Sequence, residues 1–172
     1  MSYFVATVMI LFMAACGSPK MTEEDAKKAE SSLFENGMVV NEEAAANAVD
    51  VYCRFVDQNA DAETAPSWLF KALEISVSFL GPDKAIEIGN KLMNLYPDYE
   101  KTPVGIFMLA NMVYEEKLGD LDAAKALYEK IITDYPDNEF VPSARQSIMN
   151  LGKTPEQLIR EFEEMNVLDS LV

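Results

Sequence analysis

Leu95-Tyr96-Pro97-Asp98 and Asp134-Tyr135-Pro136-Asp137 stand 39 residues apart, and the organisation of the chain unfolds from that spacing. Each proline follows an alanine by 12 residues, Ala85 before Pro97 and Ala124 before Pro136. Each alanine follows a Leu-Gly pair, Leu80-Gly81 or Leu118-Gly119, and eight residues before each of those leucines stands another alanine, Ala72 or Ala110. An earlier, degraded copy keeps Ala48, Tyr52 and Phe55, with Ala60 where proline would fall and Gly37 at its turn. Each marker has a physical role. Small residues let two helices approach closely. Glycine suits the turn between them, and proline stops the second helix because it has no N–H to extend the hydrogen-bond ladder. No segment from Glu23 onward shows sustained period-two alternation, so the apolar pattern is helical throughout.

This pattern resembles the tetratricopeptide (TPR) repeat family, whose unit is a helix-turn-helix of about 34 residues. Trp68, Ala72 and Ile75 fall on its first-helix positions, as do Ile106, Leu109, Ala110 and Val113; Ala124, Tyr128, Ile131 and Pro136 fall on second-helix positions. Lys71, at an expected leucine, and Gly89, at an expected aromatic residue, depart from it. The resemblance implies an all-α fold, a right-handed solenoid of about three helical hairpins with C-terminal capping helices. The expected hairpins pair 23–35 with 41–58, 64–80 with 82–95, and 102–118 with 120–134, followed by helices at 139–151 and 155–165. Thr102-Pro103 and Thr154-Pro155 place a capping hydroxyl before a first-turn proline, and Thr154 with Gln157 has capping-box spacing.

The first residues follow a different logic. From Tyr3 to Ala15 the chain is uncharged and mostly apolar, then breaks into Cys16-Gly17-Ser18-Pro19-Lys20. Such a run makes a helix of about 20 Å, too short for a hydrocarbon core of about 30 Å, but suited to the apolar part of a secretory signal. The junction Met13-Ala14-Ala15-Cys16 resembles the bacterial lipoprotein signal, in which two small residues precede the acylated cysteine. The other readings are a signal cut elsewhere or an N-terminal core helix. The lipoprotein resemblance implies a signal peptide at 1–15, a lipidated Cys16 with a tether at 16–22, a repeat domain at 23–151 and a capping helix and tail at 152–172. Palmitate-like acyl chains on Cys16 would satisfy the need for more than one membrane-binding signal. Gly17, where an Asp would retain the protein at the inner membrane in one sorting scheme, points to the outer membrane. Cys53 is then left without an intramolecular partner and reads as an inert, buried thiol.

Composition narrows the chemistry. Acidic residues outnumber basic ones 29 to 14, giving a net charge of −15, and histidine is absent. That balance argues against nucleic acid and anionic lipid headgroups and favours a basic partner. Without histidine the commonest general base and metal ligand is missing. Glu115-Glu116, Glu161 with Glu163-Glu164, and Glu23-Glu24-Asp25 lie on polar helix faces, where solvated carboxylates are the plain reading. Neither an enzyme, a metal site nor a cofactor is expected.

In the TPR family the first helices form a concave face where peptides dock. The resemblance places Leu69, Leu73, Phe107, Asn111, Tyr114 and Glu115 on that groove. Trp68 to Leu80 is apolar nearly all round, which expects burial on more than one side, either by a terminal helix folded over the groove or by a partner. Two functions fit. One is a lipid-anchored cell-envelope scaffold that binds other envelope proteins, in outer-membrane or envelope assembly. The alternative is a self-associating structural protein whose apolar face is a homodimer seam.

Overall fold

The computed structural model describes residues 20–34 and 41–169. The expected signal peptide, Cys16, most of the tether, the turn at Gly37 and the last three residues lie outside them. The regular secondary structure of the described residues is all helical, with no strand among them. In chain order the helices are α1 (Glu23–Phe34), α2 (Glu42–Gln58), α3 (Ala65–Ile75), α4 (Pro82–Leu95), α5 (Thr102–Met108), α6 (Leu121–Asp134), α7 (Val141–Asn150) and α8 (Pro155–Asp169). Two of them change pitch without a break: α3 runs on as a π-helical segment, Ser76–Leu80, and α5 as another, Leu109–Leu118.

Helices adjacent in sequence pack side by side from α1 to α7, and α3 also touches α5. The turns within the second and third pairs use Gly81 and Gly119 at φ 88° and 65°, a region that side chains with a Cβ rarely enter. Buried apolar residues form two clusters. The larger joins α1 to α4 and includes Tyr52, Trp68, Leu69, Leu73, Ile88 and Leu92. The smaller holds Ile106, Ala110, Ala124, Tyr128, Ile131 and Ala144. Met93, Tyr114 and Leu127 pack against both and join them. Ala48, Ala85 and Ala124, the small residues of the three second helices, are buried to 1% exposure or less, consistent with close helix approach.

The connections after α2, α4 and α6 are three copies of one structure. Asn59, Tyr96 and Tyr135 end their helices with φ near −142°, −133° and −132° and ψ of 45°, 56° and 56°. In each copy a chain of backbone bonds follows: Tyr99 N–H donates to Tyr96 C=O at 3.2 Å and Thr102 N–H to Tyr99 C=O at 2.9 Å, while Asn138 donates to Tyr135 at 3.0 Å and Val141 to Asn138 at 3.1 Å. The tyrosines then reach backwards. Tyr96 Oη donates to Ala60 C=O and Tyr135 Oη to Pro97 C=O, each at 2.9 Å. Those carbonyls hold the same place in successive turns, so the recurring tyrosine fixes the spacing of one hairpin to the next. In the first copy Asn59 substitutes, its Nδ2 donating to Met21 C=O at 3.0 Å and tying down the start of α1.

Two local expectations come out differently. Thr154 and Gln157 do form a capping box, with N–H to side-chain bonds of 2.7 and 3.3 Å. Thr102 does not cap α5; it is buried, and its hydroxyl donates to Tyr96 C=O at 2.7 Å, closing the preceding turn instead. The helix Trp68–Leu80 is buried on several sides, but α2, α4 and α5 cover it. The terminal helix α8 lies by α7, where Lys153 pairs with Glu161 at 2.6 Å, and leaves Ile159 and Phe162 59% and 62% exposed. An amphipathic helix expected to cap the stack thus keeps much of its apolar side in solvent.

Candidate functional site

The first helices of successive hairpins follow a 37-residue register counted from the preceding turn, since Ala65 opens α3 and Thr102 opens α5. Burial follows that register: Leu69 pairs with Ile106, Ala72 with Leu109, Leu73 with Ala110 and Ser76 with Val113, all buried. Counting back from the Leu-Gly turns yields 38, because α5 and its continuation contain one residue more than α3 and its own. The surplus is absorbed where the backbone widens to π geometry, ten residues long after α5 against five after α3.

That single residue corrects the expected groove. Leu69 and Leu73 are 0% exposed and belong to the core, so they line no open surface. On α3 Glu74 is exposed and Lys71 and Ile75 are half-buried, while Phe70 is buried with only an edge toward an open cleft; the partners of Phe70 and Glu74 by the 37-residue register are Phe107 and Asn111. Phe107 and Asn111 are half-buried, as are Tyr114 and Glu115. Phe107 is held between two rings, 5.4 Å from Tyr128 and 5.3 Å from Phe140 between centroids. Tyr114 packs on both core clusters, so its truncation costs packing as well as surface. Glu115 accepts a hydrogen bond from Tyr128 Oη at 2.8 Å. Asn111 and Ser147 lie close to the same hydroxyl, and burial pushes the Tyr128 phenol up to about 12.

The open surface lies on the side presented by α3, α5 and the turn before α7. A cleft of about 680 Å³ there is lined by Phe70, Glu74, Glu100, Lys101, Val104, Asp137, Asn138 and Glu139. Four carboxylates face one ammonium, and Lys101 Nζ sits 5.4 Å from the centre of the Phe70 ring, partly engaged already. Next to it, a shallower cleft of about 400 Å³ between the two Tyr-Pro-Asp turns carries Asp98, Glu100, Asp134 and Asp137 with no basic residue. A third, of about 290 Å³, lies between α1, α2 and α3. The negative potential of the first two would attract a cation-bearing partner and raise its rate of encounter. None of the six expected groove residues lines this cleft of about 680 Å³; Phe107 and Asn111 are register partners of Phe70 and Glu74, which do. Lys101, Val104 and Glu139, which the sequence reading missed, come from the start of α5 and the turn before α7, just after the two Tyr-Pro-Asp markers.

Cys53 is half-buried and burial pushes its thiol up, which holds it in the protonated, unreactive form near neutral pH. Among the described residues no cluster of acids and cysteine is arranged to hold a metal ion, and no helix is long and apolar enough to cross a membrane.

The tetratricopeptide repeat family profile matches residues 106–138, from α5 through α6 to the turn that follows. The match supports the TPR family and, with it, a scaffold for protein–protein interaction, a family whose members are typically non-catalytic. No curated protein and no solved structure matches the chain.

Proposed function

We propose that the chain is a lipid-anchored envelope scaffold, a right-handed solenoid of three hairpins whose acidic cleft holds basic segments of other envelope proteins. The observation that carries the binding surface is the cleft of about 680 Å³, where half-buried Val104 and the edge of the buried Phe70 ring offer apolar contact inside a rim of four carboxylates. The anchor rests on the uncharged run from Tyr3 to Ala15 ending in Ala14-Ala15-Cys16, and the outer membrane on Gly17. Self-association through an apolar seam on α3 has little to work with, since Leu69 and Leu73 are inside the fold and each copy carries a charge of −15.

Two experiments test this reading. A photo-crosslinking residue at Val104 should trap a partner in cells, and the adduct should be lost in Glu74→Lys/Glu139→Lys. A crosslinker at Glu129, on the opposite helix α6, should trap none; adducts at Glu129 but not Val104 would move the site to the other face. Labelling with a palmitate analogue should mark the wild type and leave Cys16→Ser unmarked, and a labelled Cys16→Ser would remove the lipid anchor.

A further inference from the structure

Tyr52 is 1% exposed, and its hydroxyl has no hydrogen-bond partner among the described residues. Tyr96, Tyr128 and Tyr135 all find one. A buried hydroxyl left unpaired is costly and therefore uncommon. The ring of Tyr52 rests on Trp68, centroids 4.9 Å apart, and Tyr52 lines the cleft of about 290 Å³ whose walls are the apolar side chains of Leu33, Ile75 and Phe79. At its rim Lys71 is already committed, 2.6 Å from Glu30 and 4.3 Å from the centre of the Trp68 ring. Glu74 makes no ion pair among the described residues.

Three properties restrict what could fill this cleft. Its volume lies just below the range of about 300–1,000 Å³ typical for small-molecule sites, which fits one side chain better than a whole ligand. A lone water would gain few of the 2–4 polar partners it needs among such walls. Glu74 also lines the larger acidic cleft, so the two hollows border the same carboxylate.

We propose that the Tyr52 cleft is an anchor pocket for an apolar side chain of a partner segment that carries a basic residue beside it. The apolar group fills the space among Leu33, Ile75 and Phe79. Seating it displaces the side chains that keep the Tyr52 hydroxyl out of solvent, so that a backbone carbonyl of the segment accepts from that hydroxyl, and the basic residue pairs with Glu74. This rests on the reading that the cleft side binds protein, and the test separates the two.

A random dodecapeptide library displayed on phage is selected against the full chain, and the strongest binders are synthesised with a fluorophore. Expected are peptides with Leu, Phe or Met next to Lys or Arg. Their affinity should fall about tenfold in Phe79→Ser, as for the loss of an interface anchor. It should fall about three- to fivefold in Tyr52→Phe, as for one lost hydrogen bond. Tyr52→Phe should melt at or slightly above the wild-type temperature, since it removes an unpaired group. Peptides that bind equally to wild type, Phe79→Ser and Tyr52→Phe would overturn the pocket and leave the scaffold standing. Failure to enrich any peptide would remove both. Enriched acidic peptides would overturn the role of Glu74, and a lower melting temperature for Tyr52→Phe would show its hydroxyl to be paired within the fold.

Discussion

Tyr52 and Tyr128 occupy the same place in the second helices of the first and third hairpins, four residues after Ala48 and Ala124, yet their surroundings differ. Tyr128 donates to Glu115 at 2.8 Å, in a seam with Phe107 and Phe140 beside it. Tyr52 has no such partner and borders a hollow. The second hairpin has Gly89 at this place, and there a Cβ would stand 2.2 Å from Leu109 Cδ1. Twenty residues beyond each of the three come Ala72, Leu109 and Ile148. The register sets a large residue opposite a small one in the first hairpin and reverses the order in the second, where Gly89 meets Leu109, while the third has a large residue at both places. The departure at Gly89 is thus a change of size that is answered across the seam, because a packed core accepts volume from either side.

The largest test of that comparison makes the second hairpin look like its neighbours. Gly89→Tyr should cost about 3 kcal/mol or more, since the ring must displace Leu109. Adding Leu109→Ala, which reproduces the Tyr52 and Ala72 combination, should restore part of it in a urea melt; costs that simply add would show that the two sites do not share space.

Next in size is Tyr128→Phe. It removes a hydrogen bond to a half-buried carboxylate and should cost about 1–2 kcal/mol by the same melt. Glu115→Gln in the Tyr128→Phe background should then change little. If Tyr128→Phe and Tyr52→Phe melt together, the difference between the two environments is not energetic.

The same pair predicts behaviour in alkali. Burial raises the Tyr128 phenol to about 12 and the Tyr52 phenol higher still, with the charge of Glu30 adding to the latter. Both folded values exceed the unfolded one, so this stability is complete below about pH 10 and is lost as pH rises through the folded values. Thermal melts between pH 9 and 12 should show a falling limb that is shallower in Tyr128→Phe and in Tyr52→Phe. A limb unchanged in both variants would mean that neither phenol is held neutral by the fold.

The smallest effect belongs to the turns. Tyr135→Phe and Tyr96→Phe each lose one partly exposed bond between hairpins and should cost about 0.5–1 kcal/mol. Hydrogen exchange should quicken at the turn on either side of the change more than in the core of α4; uniform loss would mean that the tyrosines support the whole stack rather than its joints.

The sequence by itself determined the helices and their punctuation. Ala85, Ala124, Gly81, Gly119 and the Tyr-Pro-Asp turns each answer a local demand, for close approach, for positive φ, or for an end to the ladder, and such demands depend on few neighbours. The aromatic and charged residues of the cleft were only partly legible. None of the expected groove residues lines it: Leu69 and Leu73 are core, and Phe107 and Asn111 are only the register partners of Phe70 and Glu74, because one surplus residue in the first helix of the third hairpin leaves no mark in composition. Only the tertiary structure decided where that residue is absorbed, and with it which face of α3 is buried. The same holds for the tyrosines. Their rings were readable as core from spacing, but whether a hydroxyl meets Glu115, a carbonyl one turn back or nothing depends on groups distant in sequence that packing alone brings together.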